Sequence, residues 1–160
     1  MLDTIDGLPA HPLLAHLVAA LVPVTALLAV LIVLWPGARR RIGGAAVFVA
    51  VGTLVAIPLT TVAGSWLQQR VMGGELLHRH ATLGAQLVLW SALLTVAMIV
   101  WWALHTPLFA AEVGALSPAI RRTGITVTGA GTLIFAAVST WLVIRIGHTG
   151  AQSMWGGMDC

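Results

Sequence analysis

Six histidines, His11, His16, His78, His80, His105 and His148, punctuate a chain of 160 residues that is 59% hydrophobic and only 8% charged. Imidazole is a common metal ligand and the side chain that titrates near neutrality. Inside an apolar run it is costly unless something satisfies it. Two imidazoles can hold the iron of a haem b from opposite sides. Three or four can hold zinc or copper. Helix capping with no cofactor at all is the third chemistry open to the same residues.

Which histidines meet depends on the elements that carry them. A soluble domain has about 25% charged residues, so this composition describes an integral membrane protein with the lipid bilayer as its first partner. Crossing the hydrocarbon takes about 20 apolar residues. Four runs qualify, roughly residues 12–35, 43–66, 83–104 and 123–146, with boundaries uncertain by about two to four residues. The expected fold is all-α: one antiparallel four-helix transmembrane bundle over residues 1–160. Pro36 and Gly37 in "WPGARRR" end the first helix, and the third begins ahead of its apolar part, near Glu75. The connection "HTPLFAAEVGALSPAIRR" has room for a short interfacial segment, and the tail "GHTGAQSMWGGMDC" reads as polar and irregular. The two halves echo each other weakly, each opening on histidines and turning at arginines.

An up-down-up-down order brings His11, His16, His78, His80 and His148 to one end of the bundle and leaves His105 at the other. At about 100° per residue, His78 and His80 point roughly 200° apart on a helix. His80 is therefore expected inward, above Gly84, and His78 outward. The first and third helices are diagonal, so His16 and His80 are the expected axial pair for haem b. His148 is expected beside the ring edge, and His11 as a supporting or alternative ligand. Arg70, Arg79 and Arg145 fall at the same end and suit the haem propionates. A zinc or copper site would draw on the same His11, His16, His80 and His148, with Met154, Met158 and Cys160 as soft ligands for copper. Small-residue ridges, Gly52–Ala56–Thr60–Gly64 and Gly124–Thr128–Thr132–Ala136–Thr140, allow close helix approach.

All eight basic residues are arginine, and the net charge is +3. No basic patch interleaved with aromatics marks a nucleic-acid binder. No nucleophile elbow, acid–base carboxylate pair or phosphate loop marks a hydrolase, and no mid-membrane acid marks a proton-coupled transporter. Arg39, Arg40, Arg41, Arg121 and Arg122 fall on one side and Arg70, Arg79 and Arg145 on the other. That bias places both termini outside the cytoplasm. Trp35, Trp66, Trp101, Trp102 and Trp141 near the helix ends fit an interfacial belt. Cys160 is the single cysteine, so no internal disulfide forms.

Three blocks carry a family resemblance. "LPAHPLLAHLVAALVPVTALL", "HATLG" (residues 80–84) and "IGHTGAQSMW" (residues 146–155) resemble the opening H-P-L-x-x-H, the central H-x-x-x-G and the closing G-H-x-G signatures of domain-of-unknown-function family 2231. The resemblance spans residues 7 to 156 and implies a bacterial inner-membrane protein. It points to His11, His16, His80 and His148, and not to His78 or His105. Relatives joined to cytochrome c or Rieske-type domains imply redox surroundings and a redox partner protein or membrane complex, which is association rather than mechanism. A structural or assembly subunit is the competing role.

Overall fold

The structure, a computed structural model, describes residues 4–5, 7–70 and 74–155. Asp3, Asp6, Met158 and Cys160 lie outside the described residues, as do the side chains of Met154 and Trp155. A short antiparallel pairing of β1 (Thr4–Ile5) with β2 (Leu8–Pro9) precedes the helices. Gly7, with φ 79°, turns the chain between them in a conformation that favours glycine. Five helices follow: α1 (Ala10–Leu34), α2 (Pro36–Gln68), α3 (Glu75–Ala103), a single 3₁₀ turn at Pro107–Phe109, α4 (Ala110–Ala115) and α5 (Pro118–Trp155).

Four of these, α1, α2, α3 and α5, are long and apolar enough to cross a membrane. They pack as an all-α four-helix bundle in cyclic order α1–α2–α3–α5, which leaves α1/α3 and α2/α5 as the diagonals. Only about a third of each apolar segment is buried within the bundle. The remaining surface is apolar: Phe48 is 78% exposed. A soluble fold would not leave rings like this in water, and a lipid-facing surface requires them. The protein is a multi-pass integral membrane protein.

Three element boundaries differ from the expectation above. α2 starts at Pro36 rather than near residue 43, so Trp35 alone separates it from α1. Proline at the first helical position loses no bond, because that amide has no intrahelical partner. The arginines of "WPGARRR" are therefore helical. α5 runs on through "IGHTGAQSMW" to Trp155, so this part of the expected irregular tail is regular helix. α1 starts at Ala10 rather than near residue 12, which places His11 inside its first turn.

The two halves are related by a pseudo-two-fold axis along the bundle. Counted from His11 along α1 and from His80 along α3, buried positions coincide: Val18 with Leu87, Val22 with Ser91, Thr25 with Leu94, Ala26 with Thr95, Ala29 with Met98, and Ile32 with Trp101. α2 and α5 match likewise, pairing Gly43 with Gly129, Ala46 with Thr132, Ala50 with Ala136, Thr53 with Ser139, Ala56 with Leu142, and Ala63 with Thr149. The faint echo in sequence is thus a register in three dimensions. Lipid provides no hydrophobic drive between helices, so close van der Waals packing must hold them. The recurrence of Ala, Gly, Ser and Thr at these positions meets that need.

Two apolar clusters fill the interior. One, around Val22, Ile57 and Leu142, lies toward the histidine end, and the other, around Ile32, Met98 and Trp101, lies toward the opposite end. A tight gap between them, too narrow for water, is lined partly by the hydroxyls of Thr25, Thr53, Ser91 and Thr95.

Candidate functional site: a pair of imidazoles on the pseudo-two-fold axis

His11 and His80 come from diagonal helices and meet at one end of the bundle. Their ring centroids are 6.0 Å apart and their planes cross at 87°. Each imidazole is anchored to the neighbouring helix of its own half. His11 Nδ1 lies 3.0 Å from the Thr60 carbonyl on α2. His80 Nδ1 lies 3.0 Å from the Ile146 carbonyl on α5. A carbonyl only accepts, so both Nδ1 atoms carry the proton. Nε2 is then the ring nitrogen outside that bond, the one through which each imidazole could ligate a metal.

One turn beyond each accepting carbonyl stands a glycine that makes room for the ring. A Cβ added to Gly64 would lie 2.9 Å from the His11 ring, and one added to Gly150 would lie 3.1 Å from the His80 ring. The motif His–carbonyl(i)–Gly(i+4) thus occurs twice, as His11–Thr60–Gly64 and His80–Ile146–Gly150. Gly64 belongs to the small-residue ridge of α2, and Gly150 closes the G-H-x-G block. Nothing in the sequence marks Thr60 and Ile146, because they contribute only their backbone.

The expected pairing of His16 with His80 does not form. His16 is exposed, and its Nδ1 contacts the Pro12 carbonyl at 2.6 Å within its own helix. Five residues separate His11 from His16, so their side chains point about 140° apart, and only one can face the axis. His148 is also exposed. It lies midway between Ile146 and Gly150, which share a face one turn apart, and so looks away from His80. His78 is exposed and His80 half-buried, as the roughly 200° separation requires. Gly84, expected to make space beside His80, would place its Cβ only in ordinary contact with Thr61, at 3.7 Å.

The arginines expected at propionates are all exposed. Arg70 stacks on Trp66 with its Cζ 3.7 Å from the ring centroid, and its Nη1 donates to the Trp66 carbonyl at 3.1 Å. Arg145 lies 5.7 Å over Trp141. Arg79, on the first turns of α3, completes the cationic rim of this end.

Among the described residues no group of three or more His, Cys, Asp or Glu converges as a metal cage. The mid-bundle hydroxyl gap and a groove along α5 at Ala119–Thr128 both lie away from these histidines. Of the expected histidines, those whose rings meet among the described residues are His11 and His80. Comparison with protein families, with curated proteins and with solved structures finds no match.

Proposed function

We propose that this is a redox protein of the bacterial inner membrane in which His11 and His80 together ligate one metal centre, the iron of a haem b. The observation that carries this reading is the paired anchoring. Two imidazoles on a symmetry axis each spend Nδ1–H on a carbonyl and keep Nε2 free. A six-coordinate haem iron needs two protein ligands and no more. With ring centroids 6.0 Å apart, His11 and His80 are the two imidazoles that would hold such a group. When bound, such a group supplies one-electron transfer. The chain's own part is to orient the two imidazoles, hold their tautomer, and place Arg70, Arg79 and Arg145 around the rim.

A copper ion held by the same pair is the second reading. The close approach of Gly64 and Gly150 to the rings suits a small ion, which needs less room than a porphyrin. Protein purified from haem-replete, copper-supplied cells distinguishes the two by visible absorption and elemental analysis. A Soret band that disappears in His11→Ala and in His80→Ala, but survives His16→Ala and His148→Ala, supports haem. Stoichiometric copper with the same dependence supports copper. Neither group in folded protein sinks both readings and leaves a structural or assembly role.

A further inference from the structure

The bundle end opposite the histidine pair departs from the two-fold pattern, and it gathers cations. Ile32 is where this begins. In a continuous helix its carbonyl would accept from the amide four residues on, but that residue is Pro36, which has no N–H. Trp101 Nε1–H donates to this oxygen instead, at 3.2 Å. Trp101 is therefore a core residue, 6% exposed, and not part of the expected interfacial belt. Arg39 Nη1 reaches the same carbonyl at 3.5 Å, and the guanidinium lies 5.4 Å over the Trp101 ring.

His105 stacks on that indole at 4.3 Å between centroids and donates Nδ1–H to the Trp101 carbonyl at 2.7 Å. Burial lowers the His105 pKa below its ordinary 6.5, and the charges of Arg39 and Arg121 lower it further. Arg39 shares the Trp101 ring with His105, and Arg121 lies one turn before Gly124, where an added Cβ would be 3.6 Å from Leu104, the residue next to His105. Arg40 and Arg122 follow them in sequence. Glu112, on α4, is the one acid at this end among the described residues; it is exposed and forms no ion pair there. Arg39 is half-buried. A guanidinium has five donors, and the single long bond to Ile32 leaves most of them unused. Partly buried charge without a counter-charge is costly. The two-fold counterpart of Arg39 is Ile125, so the cluster belongs to one half only.

We propose that Arg39 and Arg121, at the bundle end that carries His105, form a phosphate-binding site for the headgroup of an anionic phospholipid. Guanidinium groups match phosphate oxygens in bidentate geometry. Basic pockets at the ends of transmembrane helices suit lipid phosphates. Trp35 beside the site is 62% exposed, in keeping with an aromatic residue at headgroup level. The chemistry shared with free phosphate is the oxyanion, and the source is what the experiment must decide.

The test is the apparent melting temperature of the purified protein in neutral detergent, titrated with phosphatidylglycerol, phosphatidylcholine or inorganic phosphate. Phosphatidylglycerol is expected to raise it and phosphatidylcholine not. Half-saturation should need at least tenfold more lipid in Arg39→Gln and in Arg121→Gln. Arg121 is exposed, so that variant spares the core around Trp101. His78→Gln, at the other end and exposed, should respond like the parent. A response to inorganic phosphate with no preference among lipids keeps the oxyanion site and overturns the lipid source. An unchanged response in Arg39→Gln and Arg121→Gln, or none in the parent, overturns the site.

Discussion

The His11 imidazole stands perpendicular to the His80 imidazole across the diagonal of the bundle, 6.0 Å between ring centroids. Neither ring rests on its own helix alone: each leans on a carbonyl and a glycine of the adjacent helix. Because the same three-part motif serves both, the two histidines are equivalent by construction, and the halves can be compared as internal controls.

The glycine cradles are the first place to look. Gly64→Ala puts a methyl 2.9 Å from a ring already tied to Thr60, so the ring must leave its bond. Overpacking of this kind costs about 1–3 kcal/mol. Gly150→Ala meets His80 at 3.1 Å and should cost less. Gly52→Ala and Gly147→Ala meet nothing within 4 Å and should gain up to about 1 kcal/mol of helix propensity. Apparent melting temperatures in detergent should rank the variants in that order, with Gly64→Ala lowest.

Hydroxyl pairing separates the halves at mid-bundle. Thr25 and Thr53 bond at 2.8 Å, and Thr53 also donates to the Val49 carbonyl. Their two-fold counterparts are Leu94 and Ser139, so Ser139 Oγ is buried without a partner. Ser139→Ala removes an unsatisfied group and is expected to be neutral or to stabilise by about 1 kcal/mol. Thr53→Ala loses a bond and should destabilise by roughly 0.6 kcal/mol, the average for membrane hydrogen bonds. Destabilisation by Ser139→Ala equal to that of Thr53→Ala would show that Ser139 has a partner.

His105 should give stability a pH dependence. Burial, and then Arg39 and Arg121, depress its pKa from 6.5. A depressed pKa means the unfolded chain binds the proton more readily than the folded one. The contribution is complete above about pH 6.5 and is lost as pH falls through the lower folded value. His105→Phe should flatten the melting temperature over that window, measured against the parent without added anions. An unchanged slope would mean other groups carry it.

Orientation is testable through the single thiol. The arginine asymmetry expects both termini outside the cytoplasm. A membrane-impermeant maleimide should label Cys160 in intact cells with the outer membrane permeabilised. Labelling only after lysis of the inner membrane would reverse the topology.

Much of this fold is written in local sequence. Four apolar stretches of sufficient length, broken at Trp35–Pro36, at Gly74 and around Pro107, dictate four spanning helices, because lipid leaves backbone groups no partner but the helix itself. The same reasoning turned His80 inward and His78 outward, since their angle depends on helix periodicity alone. The extension of α5 through "IGHTGAQSMW" was less legible, because glycine and polar residues there mimic a loop and only packing against α3 rewards the helix.

Tertiary structure decided which histidines form the pair. His11 and His16 are equally placed by composition, but the rotation of α1 against α2 and α5 turns His11 to the axis and leaves His16 outside. Composition likewise put Trp101 at an interface, whereas the carbonyl orphaned by Pro36 draws it into the core. Thr60 and Ile146 were invisible for a deeper reason: a backbone carbonyl has no side-chain signature, and its availability depends on how two helices are set against each other. Residue type determined the elements and the stock of imidazoles; helix rotation and close approach determined which of them meet.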